Sequence, residues 1–208
     1  MDFLTNPDRF LLSQRDRSFL IPIVLVTVAA LLSSIAAYVV APSTLEFVKR
    51  QILESGAPIE ESQLDIILQV TFYSMVITPF IATFVIWLII SLILYAISGI
   101  FGGSGKFSTL AKLVAYSHIP PIILSPISIY LAYESTKYVL YGMKSYLIPS
   151  TTIQIAIVAW QAVYWTYAVK NARNLELRKS AITALVVFIA YLLLTASSLI
   201  FSFLSGTL

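Results

Sequence analysis

Apolar residues along this chain fall into five long runs, at 19–41, 70–97, 110–132, 153–169 and 181–203. The single Asp, Glu, Lys or Arg inside them is Lys112, near the start of the third. A helix rises about 1.5 Å per residue, so about 20 apolar residues are needed to cross a hydrocarbon core of roughly 30 Å. Lipid offers no partner for backbone N–H and C=O groups, which leaves helices as the natural form for such runs. The pattern predicts an all-α integral membrane protein, one domain over 1–208, built as a bundle of five transmembrane helices. The first run is too long for a signal-peptide core, and Asp2, Asp8 and Asp16 balance Arg9, Arg15 and Arg17 ahead of it, so it is expected to remain as a span.

The polar intervals set the orientation. Arg9, Arg15, Arg17, Lys106, Lys112, Lys170, Arg173, Arg178 and Lys179 fall on one side of a five-span chain, against Lys49, Arg50, Lys137 and Lys144 on the other. Cytoplasmic loops carry the excess of Lys and Arg, which predicts a cytoplasmic N-terminus and an outside C-terminus. In the first outer loop, 42–69, Ser43 and Glu46 have capping-box spacing and Gly56 reads as a helix stop. Leu45, Val48 and Ile52 share one face while Glu46, Lys49, Arg50 and Glu54 fall elsewhere, so a short amphipathic helix on the outer interface is expected.

Composition narrows the chemistry. Charged residues make up 11% of the 208, where soluble domains carry roughly 25%. A net charge of +3 spread over many loops is no nucleic-acid footprint. With no cysteine, one histidine and no Asp or Glu within the runs, neither a metal site nor a Ser-His-Asp set can be assembled. No cofactor is expected, and the chain reads as a non-enzyme.

Two segments depart from plain anchoring. Gly102, Gly103, Gly105 and Lys106 lie in a glycine-rich inner loop, but Gly99 is one residue too far from Gly105 for Walker spacing and Phe107 holds the hydroxyl position. The loop reads as a tight turn ended by Ser108 as a helix cap, with Phe101 and Phe107 anchored among headgroups. In the third run, Tyr116, His118, Pro120 and Pro121 mark a kinked helix, because each proline removes the hydrogen bond to the carbonyl four residues back. Ser117 and Ser125 are the expected substitutes for freed carbonyls. His118, roughly 15 Å into the span, is an intramembrane ionisable group and so a candidate contact for a proton or substrate, or a donor to a freed carbonyl. A small transporter or channel component with a site at this kink is the alternative to an organising role.

Asn6-Pro7-Asp8-Arg9-Phe10, the loop Gly102 to Phe107 leading into Ala115-Tyr116-Ser117-His118-Ile119-Pro120, and a fourth span bearing Trp160 and Trp165 before a basic loop together resemble the Yip family, the Ypt/Rab-interacting five-span membrane proteins. The resemblance covers nearly the whole chain. It implies a non-enzymatic, membrane-organising or adaptor protein whose partners are the lipid bilayer and other copies or other membrane proteins. The resemblance further implies association with prenylated Rab-type small GTPases, as in eukaryotic members, which carry much longer cytoplasmic tails. The roughly 18 residues ahead of the first span here argue against GTPase binding and look like a short prokaryotic member in the cell membrane.

Overall fold

The apolar runs are realised as helix. A computed structural model describes residues 2–56, 58–140 and 147–204, and every regular element among them is helical. Two short helices, α1 (Asp2–Thr5) and α2 (Pro7–Gln14), precede the long α3 (Leu20–Glu54) and α4 (Glu61–Ile100). Then come α5 (Phe107–Ala115), a 3-10 turn (Tyr116–His118), α6 (Ile119–Leu140), α7 (Leu147–Arg173) and α8 (Leu177–Leu204). Four described stretches are long and apolar enough to cross a membrane: α3, α4, Phe107–Thr136 and Leu177–Ser197. The run expected as the fourth span lies in α7, whose 27 residues extend about 40 Å. Gln154, Gln161 and Thr166 dilute its hydropathy, and it is not among the four.

Two expectations for the first outer loop divide. Leu45, Val48 and Ile52 do form the half-buried face, with Glu46, Lys49, Arg50 and Glu54 exposed. They are not a separate helix, however. α3 runs unbroken through Pro42, so Ser43 caps nothing, and the amphipathic stretch is the last part of a 35-residue helix. The proline's missing hydrogen bond is tolerated inside a helix packed along α4, and Thr44 donates to the Val40 carbonyl at 3.2 Å. Gly56 ends the helix as expected, with φ +67. α4 then opens on a capping box between Glu60 and Gln63, nine residues before the predicted span.

The third run is interrupted rather than continuous. α5 stops at Ala115, one 3-10 turn follows, and Pro120 and Pro121 sit in the first turn of α6. At that position a proline's missing N–H would have had no helical partner anyway. The prolines therefore start a new helix instead of bending an old one. Further along, Pro126 acts as expected, and Ser125 donates to the Ile122 carbonyl at 2.8 Å.

Burial is concentrated at one end. Every residue from Leu110 to Ser117 is buried, so α5 is enclosed on all sides beyond its first turn, and Leu11, Trp87, Leu94, Tyr164, Trp165 and Val169 pack around it. The flanks of α3, α4 and α8 instead expose large apolar residues such as Ile77, Leu92 and Leu194, as a lipid-facing surface requires.

Candidate functional site

At the buried end the N-terminal segment, the glycine loop and the α7–α8 turn meet, although about 70 to 160 residues separate them along the chain. α2 is started locally: Asn6 accepts from the Arg9 amide at 3.0 Å and Pro7 sits at its first position. Its buried side carries Leu11 and Phe10, the latter edge-on to the Tyr116 ring at 5.2 Å. The Asp8 carboxylate accepts from the Lys170 ammonium at 2.5 Å and from the Asn171 amide at 3.1 Å. Tyr164 donates its hydroxyl hydrogen to the Phe3 carbonyl, and Lys112 donates to the Arg17 carbonyl at 2.8 Å.

The two long helices that end here, α4 and α7, stop in the same way. Gly103 N–H bonds Ser98 O at 2.9 Å and Gly102 N–H bonds Gly99 O at 3.0 Å, with Gly102 at φ +81. This is the Schellman ending, and it requires a residue that accepts positive φ at Gly102. In α7, Asn174 takes that place at φ 52 and Leu175 N–H reaches Lys170 O at 3.3 Å. The two endings lie against each other: the Ser104 amide donates to Arg173 O at 2.9 Å, and the Asn174 side chain bridges Ser104 and Arg15.

Arg173 holds the junction. It is 4% exposed, and its guanidinium donates to Ser98 Oγ at 3.1 Å, to Gly103 O at 2.6 Å and to Gly105 O, while lying 4.0 Å from the centre of the Tyr95 ring. Carbonyls of the glycine loop that follows α4 and an aromatic face thus stand where a carboxylate would otherwise be expected. The glycines make this approach possible. A Cβ on Gly103 would meet Ser98 O at 2.8 Å, and one on Gly105 would fall inside the Ala172 carbonyl oxygen.

The loop residues singled out from sequence therefore serve a tight turn, but one backed on α7. Lys106 is exposed and precedes α5, whose first residue is Phe107, so Ser108 is not the cap. Phe107 packs edge-on to Tyr95 at 5.6 Å instead of standing free as an anchor. Arg173 was legible only as one cation among nine, because a buried arginine and a solvated one look alike in a basic loop.

The second cluster surrounds the 3-10 turn. Tyr116 is buried and donates its hydroxyl to Gln14 Oε1 at 3.2 Å. Ser117 accepts from Trp165 Nε1 at 3.0 Å, and Trp87 Nε1 donates to Ala111 O at 2.9 Å. His118 Nδ1 lies 3.1 Å from Ala115 O, a carbonyl at the helix break and not one of the Tyr116 and Ser117 carbonyls that the prolines were expected to free. Pro120 is fully buried, whereas His118 and Pro121 line a cavity of about 370 Å³ between α3, α4, α6, α7 and α8. The glycine loop and His118 consequently belong to two separate places. Among the described residues no three His, Cys, Asp or Glu side chains converge.

A Yip1 domain matches residues 1–199. The chain belongs to the Yip1 family. It is thus an integral membrane protein of that family, and its matched region includes both clusters. An uncharacterized protein of Methanocaldococcus jannaschii is 33% identical over 135 residues, covering 64% of this chain and 87% of the relative. No solved structure matches.

Proposed function

We propose that this Yip1-family protein is a non-enzymatic membrane organiser or adaptor that presents the Arg173-centred end of its bundle at the cytoplasmic surface of the cell membrane. In this reading α7 supplies the fifth crossing of a single domain, the N-terminus is inside and the C-terminus outside. The carrying observation is the joining of three distant chain segments beside Arg173, whose exposed Arg9, Arg17, Lys106, Arg178 and Lys179 outnumber the exposed Asp16 and Glu176 of the same segments. Such a basic rim suits an anionic headgroup layer, at about 1 kcal/mol per cation near the surface. A preformed face needs little ordering on binding, which favours recognition of a partner membrane protein or a second copy.

The test is cross-linking in membranes from a photoreactive residue at Ser104, with Lys106 and the glycines intact. Reproducible capture of one partner, lost in Arg173→Met while helical content stays the same, supports the adaptor reading. Capture that is indifferent to Arg173 refutes it. A small GTPase among the captured proteins would restore that partner despite the short tail. Reporter tags at the two termini check the orientation, and a shared side would sink the five-crossing reading.

A further inference from the structure

The cavity beside the helix break has a composition that plain packing does not explain. Its apolar walls include Leu32, Ile86, Ile122 and Ile129, yet His118, Ser125, Ser128, Gln154 and Gln161 also face into it. His118 lies 11 residues past the start of α5, about 16 Å along the helical path, and an uncompensated amide or hydroxyl at hydrocarbon depth costs roughly 2–7 kcal/mol. At about 370 Å³ the space is within the size range of ligand pockets and far above a packing void.

Three features describe what fits. No Asp, Glu, Lys or Arg lines the cavity, so a charged head would be left without a counter-charge. Ser128 lines the cavity as well, but its Oγ is covered, so the polar lining left for a ligand is that of His118, Ser125, Gln154 and Gln161. The Ala115 carbonyl can only accept, so the contact at 3.1 Å assigns the proton to Nδ1 of His118, and in the uncharged ring Nε2 is then an acceptor. An alcohol supplies both missing halves, a hydrogen for Nε2 and lone pairs for the glutamine amides. Gln154 lines the cavity and is also exposed, so the space reaches the flank of the bundle, at the end of α7 remote from Arg173.

We infer that this cavity binds the uncharged, hydroxyl-bearing head of a membrane amphiphile of the diacylglycerol type, entering from the bilayer with its chains along the apolar walls. The experiment uses the full chain in nanodiscs with a photoactivatable diacylglycerol, the labelled peptides being mapped by mass spectrometry. Labelling should fall on α6 and α7 near Ser128 and Gln161 and be displaced by unlabelled diacylglycerol. Gln154→Leu and Gln161→Leu should each weaken competition about fivefold, the loss of one hydrogen bond. A control at lipid-facing Leu193, Leu193→Ala, should leave it unchanged. The thermal transition of each variant verifies folding, and Gln154→Leu, at an exposed position, can be read alone if Gln161→Leu misfolds. Labelling spread evenly over lipid-facing helices, equal labelling by an anionic phosphatidic acid probe, or displacement by free glycerol as effective as by the lipid would each overturn the inference.

Discussion

Gly105 offers the sharpest test of how the polar end is built, because one added methyl group there meets two separate obstacles. Its φ of +114 lies outside the conformations that L side chains adopt readily, and forcing alanine into it costs about 1–3 kcal/mol. The new Cβ would also overlap the Ala172 carbonyl, so the loop must move away from α7. That movement stretches the contacts from Arg173 to Gly105 O and Gly103 O, which are charge-assisted bonds worth roughly 1.5–3 kcal/mol each. Loss of one bond plus the backbone cost makes Gly105→Ala destabilising by about 4 kcal/mol. Gly102 is the internal control: its φ is +81 and an added Cβ meets nothing within 4 Å, so Gly102→Ala should cost only about 1–2 kcal/mol. Unfolding by a denaturing detergent, followed by tryptophan fluorescence in mild-detergent micelles, measures both. Equal losses for the two variants would refute the close backing of the loop on α7.

Arg173→Lys keeps the charge but loses the forked donors, and should cost about 3 kcal/mol in the same assay, against little change for Lys106→Ala at its exposed position. Trp165→Phe and Ser117→Ala remove the two halves of one buried bond, so each should destabilise by roughly 1–3 kcal/mol and the double variant by much less than their sum. Additive losses would show that the pair is not coupled. Tyr116→Phe keeps the ring against Phe10 and should cost about 1 kcal/mol, whereas Tyr116→Ala opens a cavity worth about 3–5 kcal/mol. Asp8→Asn breaks an ion pair whose side chains are about a third exposed, so a loss near 1 kcal/mol that shrinks in high salt is expected from thermal melts at two ionic strengths.

Much of the architecture could be read without coordinates because the bilayer imposes a length on each apolar run and denies backbone groups any outside partner. The runs at 19–41, 70–97 and 181–203 emerge inside helices for that reason, the run at 110–132 does so on either side of its 3-10 turn, and basic residues of distant segments meet at one end. Local chemistry was legible too where it acts within a few residues: Gly56 ends α3, and Ser125 answers the carbonyl that Pro126 leaves free. Tertiary packing decided the rest. α3 passes through Pro42 within a helix that packs along α4, and Pro120 and Pro121 initiate α6 since the chain had already turned at Tyr116–His118. No spacing in the sequence distinguishes Arg173 from the solvated cations beside it. Its role exists only where the ends of α4 and α7 meet, as the cavity at His118 exists only where five helices enclose it.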